Sequence, residues 1–222
     1  MAQKPSEDNV YLFVPNLIGY ARIILAFISF YYMPTNHIIA TWCYIISGAL
    51  DAVDGYAARA LGQSSKFGYF LDMLTDRCAT MCLLVVLSLF YPQYTILFQL
   101  SMTIDIASHW IHTQSAIMKG SDSHKKIDLS TNPVLKHYYG NRIVLFMMCA
   151  GNELFYSMLY LLHFTTGPVF PLGPLSFGFF SFVCVVTAPV AIVKTLISLV
   201  QLYAACQNVV SIDVEDRLKM KQ

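Results

Sequence analysis

Asp51, Asp54, Asp72 and Asp76 are the residues of this chain whose types and spacing point most directly to chemistry. They lie in "LDAVDGYAARALGQSSKFGYFLDMLTDR", a stretch with apolar flanks. Inserting a carboxylate near the centre of a bilayer costs about 2.5–3.5 kcal/mol, so four of them must have something to hold. Asp51 and Asp54 are three residues apart and Asp72 and Asp76 four apart. On helices, each pair therefore shares a face. The connection between them carries Gly62, Ser64, Ser65 and Lys66, the chemistry of a short loop between antiparallel neighbours. Counting outward from Ser64 puts Asp54 level with Asp72, and Asp51 level with Asp76 one turn deeper. Four anions converging on one helix seam repel one another, and several stay protonated unless cations join them. Hard divalent ions answer this, because Mg²⁺ or Mn²⁺ binds through a few carboxylates together with substrate phosphates. Two such ions about 3.5–4 Å apart would clamp a phosphoryl group. Arg59, one turn from Asp54 toward the loop, suits a phosphate, and Ser65 with the loop amides adds hydrogen bonds. A purely structural reading pairs the acids with Arg22, Arg77 and Lys194. The basic residues inside the apolar segments look too few and too scattered to neutralise four acids at one seam.

The elements that position these acids read as membrane helices. The chain is 56% hydrophobic and 12% charged over 222 residues, with a mean hydropathy of +0.55, well outside the composition of a soluble domain. Stretches of spanning length fall at 17–33, 38–58, 69–91, 94–116, 142–163 and 177–206. The expectation is an all-α integral membrane protein with six transmembrane helices in one bundle, a single domain over 1–222 with no internal repeat. A β-barrel would need short alternating segments, and "RCATMCLLVVLSLF" does not alternate. A short interfacial helix is expected before the first span, in "NVYLFVPNLIGYAR", and no removable signal peptide is visible. Lys and Arg cluster before the first span, after the second, fourth and sixth, and are missing from "MPTNH", "YPQY" and "TTGPVFPLGPLS". By the positive-inside rule, both termini and the acidic site face the cytoplasm. The six cysteines lie in apolar segments without a Cys-x-x-Cys pair and read as packing residues. The net charge of +1 gives no reason to expect a nucleic-acid partner.

The pattern Asp51-x2-Asp54-Gly55-x2-Ala58-Arg59-x8-Gly68-x3-Asp72-x3-Asp76 resembles the signature of the CDP-alcohol phosphotransferase family at every fixed position. "PNLIGYAR", with Pro15, Asn16 and Arg22, is similar to the segment preceding the first helix in that family. The segments "DIASHWIHTQS", "KIDLSTNPVLKHYY" and "GNELFYSMLYLLHF" extend the resemblance, over most of the chain, to the eukaryotic members that use inositol as acceptor. The resemblance implies a six-helix membrane fold, a homodimer in the endoplasmic reticulum, and a Mg²⁺ or Mn²⁺ pair beside a CDP-linked lipid. It implies Asp51, Asp54, Asp72 and Asp76 as metal ligands and Asp76 as the general base. It also implies Gly55, Ala58, Arg59 and Ser65 as contacts of CDP-diacylglycerol. The reaction implied is transfer of a phosphatidyl group from CDP-diacylglycerol to myo-inositol with release of CMP. On the signature alone, glycerol 3-phosphate, serine and choline remain alternative acceptors.

Asp105, Ser108, His109 and His112 share one face of the fourth span. Intramembrane ionisable residues usually face the bundle interior, so Asp105, His109 and His112, with Lys126 and Arg142 from the basic loop, are candidates to line an inositol cavity. Mutual satisfaction of these groups is the competing reading. Two other functional classes fit the acid pairs in outline. An intramembrane prenyltransferase grips diphosphate through aspartate pairs but lacks the Asp-Gly-x-x-Ala-Arg run. A divalent-cation transporter uses acidic rings but has no need of Arg59 beside them.

Overall fold

Pro15 helps set where the first long helix begins. Its missing N–H falls in the first turn, where no intrahelical acceptor exists, and α1 runs Val14–Tyr32. The surface element expected ahead of the first span is a single 3-10 turn, Val10–Leu12. The remainder of that stretch, from Val14, is already α1. The computed structural model describes residues 9–119, 132–172 and 175–221, and contacts divide the chain into two compact units, Met1–Val86 and Leu87–Gln222.

In the first unit α2 spans His37–Ala60, started by the Asn36 side chain, which accepts from the N–H groups of Ile38 and Ile39. Such a cap contributes about 1 kcal/mol. The two helices are antiparallel and meet through small residues. The buried side of α1 includes Gly19, Arg22, Ala26 and Ser29, and that of α2 consists of Ala40, Ser47 and Asp54, each seven residues from the next. Ser29 Oγ donates to the Ala40 carbonyl at 2.8 Å and Ser47 Oγ to the Arg22 carbonyl at 3.0 Å. Small side chains let membrane helices approach closely, and hydroxyl bonds of this kind join them where there is no water to compete. Past the end of α2 the chain turns at Gly62, whose φ of 64° is left-handed, and the next N–H, that of Gln63, returns to the Ala58 carbonyl at 2.9 Å. Glycine takes that conformation without a Cβ clash. The reversal is short, and α3, Lys66–Phe90, starts with Ser65 Oγ accepting from the Gly68 N–H at 2.9 Å.

The second unit includes a 3-10 turn at Pro92–Tyr94 and holds α4 (Thr95–Lys119), α5 (Pro133–Gly140), α6 (Arg142–Leu162) and α7 (Phe179–Lys219). Asn132 and Asn141 cap α5 and α6 through their side-chain oxygens. Residues expected to form a plain connection instead include a two-stranded antiparallel hairpin, β1 (Val169–Leu172) with β2 (Leu175–Gly178). The last expected span, 177–206, is also longer than foreseen. α7 continues past Cys206 to Lys219 and is 41 residues long in all, about 60 Å of helix against a hydrocarbon core of about 30 Å.

The chain is an all-α membrane protein. Among the described residues five helices, α1, α2, α3, α6 and α7, are long and apolar enough to cross a bilayer. The expected span at 94–116 is present as α4, of ample length at 25 residues, but it is not among those five because Asp105, His109 and His112 interrupt its apolar run. α4 packs against α7, where Lys194 and Asp105, both buried, form an ion pair. Removing one partner of such a pair leaves a buried charge uncompensated, at a cost of about 3–5 kcal/mol, whereas replacing both by apolar residues is often neutral. Lys194→Met is therefore expected to lower the unfolding midpoint of the detergent-solubilised protein sharply, and Asp105→Leu combined with Lys194→Met to recover most of the loss. Equal midpoints for Lys194→Met and the wild type would show that the pair holds nothing together.

Candidate active site

Three helices bring the four aspartates to one place. Asp51 and Asp54 come from α2, Asp72 and Asp76 from α3, and from α1 comes a residue that ties them together, Arg22. Its Nη1 donates to Asp54 Oδ2 and to Asp72 Oδ1, both at 2.7 Å. Its Nη2 lies 2.7 Å from Asp51 Oδ1 and 2.6 Å from Asp76 Oδ1. The two pairs expected at matching depth, Asp54 with Asp72 and Asp51 with Asp76, are the pairs that share one nitrogen each. The expectation that basic residues are too few to meet four acids needs correcting. A guanidinium is a planar fork with five N–H donors, so a single arginine reaches all four. It still supplies one positive charge against four carboxylates. Arg77 adds a longer contact, 3.6 Å from Asp76 Oδ2.

The donor set suits a hard divalent ion. Asp51, Asp72 and Asp76 each offer a carboxylate oxygen, and these atoms lie within 4.8 Å of one another. Oxygen donors, excess negative charge and partial exposure are what Mg²⁺ and Mn²⁺ require. Asp54, the most buried of the four, stands beside this trio through its shared bond to Arg22 Nη1.

A cavity of about 200 Å³ adjoins the acids, lined by Asp54, Gly55, Ala58 and Arg59 of α2, by Ser65, Gly68 and Asp72, and by Asn16 and Gly19 of α1. Asp54 and Asp72 thus belong both to the acidic cluster and to the cavity wall. A Cβ on Gly55 would meet nothing nearer than the Arg59 guanidinium at 3.6 Å, so the space beside it is open to a ligand. Gly68 is different. A Cβ there would lie 2.8 Å from Asn16 Oδ1 and 3.1 Å from Ser65 Oγ, so any larger residue would have to displace these two polar side chains. The Asn16 amide is oriented by its Nδ2, which donates to the Val10 carbonyl at 2.6 Å. Its Oδ1 is buried without a hydrogen-bond partner among the described residues.

The remaining candidates lie in the second unit. The Asp105 carboxylate is engaged by Lys194, and His109 Nδ1 lies 2.8 Å from the Asp105 carbonyl. His112 stacks on Tyr139, Arg142 is exposed at the start of α6, and Lys126 is outside the described residues. The sequence reading undervalued Arg22 and did not assign Asn16 to the site. A signal for Arg22 was present, since an arginine inside a membrane span calls for a buried acidic partner. For Asn16 there was none beyond the family resemblance.

The family model for CDP-alcohol phosphatidyltransferases matches residues 12–188. Among similar proteins, CDP-diacylglycerol–inositol 3-phosphatidyltransferases of rat and human are 57% and 56% identical over 215 residues, covering 97% of this chain and 99% of each relative. The fission yeast protein of the same name is 43% identical over 228 residues, covering 97% of this chain and 96% of the relative. No solved structure matches the chain. The match to the family model takes in every residue of the acidic cluster and of the cavity wall, and the chain belongs to the CDP-alcohol phosphatidyltransferase family.

Proposed function

We propose that this protein transfers the phosphatidyl group of CDP-diacylglycerol to myo-inositol, producing phosphatidylinositol and CMP. The observation that carries the reading is the double membership of Asp54 and Asp72, which belong to the acid cluster and also line the cavity with Arg59. Bound cations and a diphosphate would share those two side chains. The choice of inositol is supported by the names of relatives 50–57% identical over nearly the whole chain.

In this reading Asp51, Asp54, Asp72 and Asp76 hold two divalent ions, Mg²⁺ or Mn²⁺. When bound, such ions neutralise the diphosphate and stabilise the leaving phosphate. Gly55 and Ala58 leave room for the cytidine against the α2 backbone. Arg59 meets the diphosphate, and the Ser65 hydroxyl contacts the nucleotide. Asp76 accepts the proton of an inositol hydroxyl. That oxygen then bonds to the lipid-side phosphorus while the bond from this phosphorus to the CMP oxygen breaks, so CMP leaves with the bonding pair. A carboxylate one turn from a metal ligand on the same helix is held in register for this task. The proposal extends to six spans counting α4, a homodimer in the endoplasmic reticulum membrane, and a site facing the cytoplasm, where free inositol is dissolved.

Purified protein given CDP-diacylglycerol, Mg²⁺ or Mn²⁺ and a panel of alcohols is expected to release CMP with inositol well above serine, choline or glycerol 3-phosphate. Chelation of divalent ions should abolish that release, and re-addition should restore it. Preference for another acceptor would overturn the inositol assignment and leave family membership intact. Asp76→Asn is expected to lower turnover by about 10²–10⁴-fold, the usual contribution of a general base, with CMP binding largely retained. Near-normal turnover in that variant would remove Asp76 from the base role.

A further inference from the structure

We propose that Arg22 is a positioning residue for the cation site, one that stays in place when the ions bind rather than standing in for them. The inference rests on the metal-dependent reading above and goes beyond it. The first ground is the side from which Arg22 approaches. Its side chain is 2% exposed, whereas those of Asp51, Asp72 and Asp76 are 44%, 45% and 37% exposed. The guanidinium therefore lies on the buried side of the acids, and their other side is open.

The second ground is which atoms Arg22 uses. It takes one oxygen from each carboxylate, Oδ1 of Asp51, Asp72 and Asp76 and Oδ2 of Asp54. A carboxylate has two oxygens and about four lone-pair sites, so each acid keeps one oxygen that Arg22 does not engage. A fork that pins the inner oxygen sets the rotation of the carboxylate and so aims the outer one. The root of the fork is itself fixed, because the Arg22 carbonyl accepts from Ser47 Oγ on α2 at 3.0 Å.

Charge points the same way. One guanidinium leaves four ionised carboxylates with a large negative excess, and two divalent ions would turn that into a small positive one suited to a diphosphate lipid. Lysine would keep the charge but offers a point-like ammonium in place of a planar fork, and it cannot hold the two depth-matched pairs on separate nitrogens.

The two possible roles predict opposite signs in an equilibrium that does not depend on turnover. Mn²⁺ binding to the full chain in detergent can be followed by loss of the free-ion paramagnetic resonance signal, for the wild type, Arg22→Lys and Arg22→Gln. If Arg22 positions the ligands, Arg22→Lys weakens Mn²⁺ binding about tenfold, by analogy with losses of groups that orient metal ligands, and Arg22→Gln weakens it further. If Arg22 merely occupies the cation's place, either variant binds Mn²⁺ as well as or better than the wild type, and the inference is overturned. Wild-type protein that binds no Mn²⁺ would overturn the metal-dependent reading, and this inference with it. Binding that survives Arg22→Lys unchanged overturns the inference alone. Should both variants fail to fold, the wild type still decides. Anomalous diffraction from Mn²⁺-soaked crystals should show Arg22 still bonded to all four aspartates, and a guanidinium turned away from them would sink the proposal.

Discussion

The first unit depends on one constraint, that four carboxylates inside a membrane protein must be gathered without being neutralised. Arg22 meets both halves of it. Its two nitrogens bond the acids in depth-matched pairs, which offsets much of the repulsion that would otherwise keep α2 and α3 apart. Its single charge cannot cancel theirs. Carboxylates that keep a negative excess and open oxygens retain the character of donors for a hard divalent ion.

The helices carry out the requirement through small residues. Ala40, Ser47 and Asp54 recur every seven residues along α2, so the face that packs on α1 near one end becomes the face that presents an acid near the other. Ser29 and Ser47 bond across the interface to backbone carbonyls, fixing the register of α1 on α2 and with it the depth at which Arg22 arrives. The Gly62 reversal then returns the chain within a few residues, which is why acids on successive helices can stand level. Gly68 completes the arrangement, because the start of α3 passes so close to Asn16 and Ser65 that a Cβ there would displace their side chains.

Much of this was legible in the sequence, for reasons that can be named. Helical spacing alone put Asp51 with Asp54 and Asp72 with Asp76 on shared faces, and counting from the loop centre matched them across the seam as Arg22 divides them in the structure. Helix positions followed from apolar runs, since backbone polar groups in a bilayer have few other ways to be satisfied. What was missed has physical causes too. Counting charges treats each arginine as one partner for one acid and ignores the fork geometry that lets Arg22 serve four. The hairpin at Val169–Gly178 is short and rich in proline and glycine, which reads as plain loop. The extension of α7 to Lys219 has good helix formers but a falling hydropathy, so a search for spans stops before the helix does.

Among the described residues buried charge gathers in two places, and the two differ in charge balance. In the second unit one cation, Lys194, bonds one carboxylate, Asp105, both buried, with His109 Nδ1 a further 3.6 Å from the same carboxylate oxygen. Such a pair has satisfied its Coulombic demand and serves to join α4 to α7. In the first unit the ratio is one to four, the cation is buried and three of the acids are substantially exposed. That geometry leaves attraction directed outward, toward whatever the adjoining cavity admits. Within a membrane, where an unpaired charge is costly, an imbalance of this size is relieved either by protons on the acids or by cations from solution. Charge balance, more than the mere presence of aspartates, is what distinguishes the acid cluster of the first unit from the ion pair of the second.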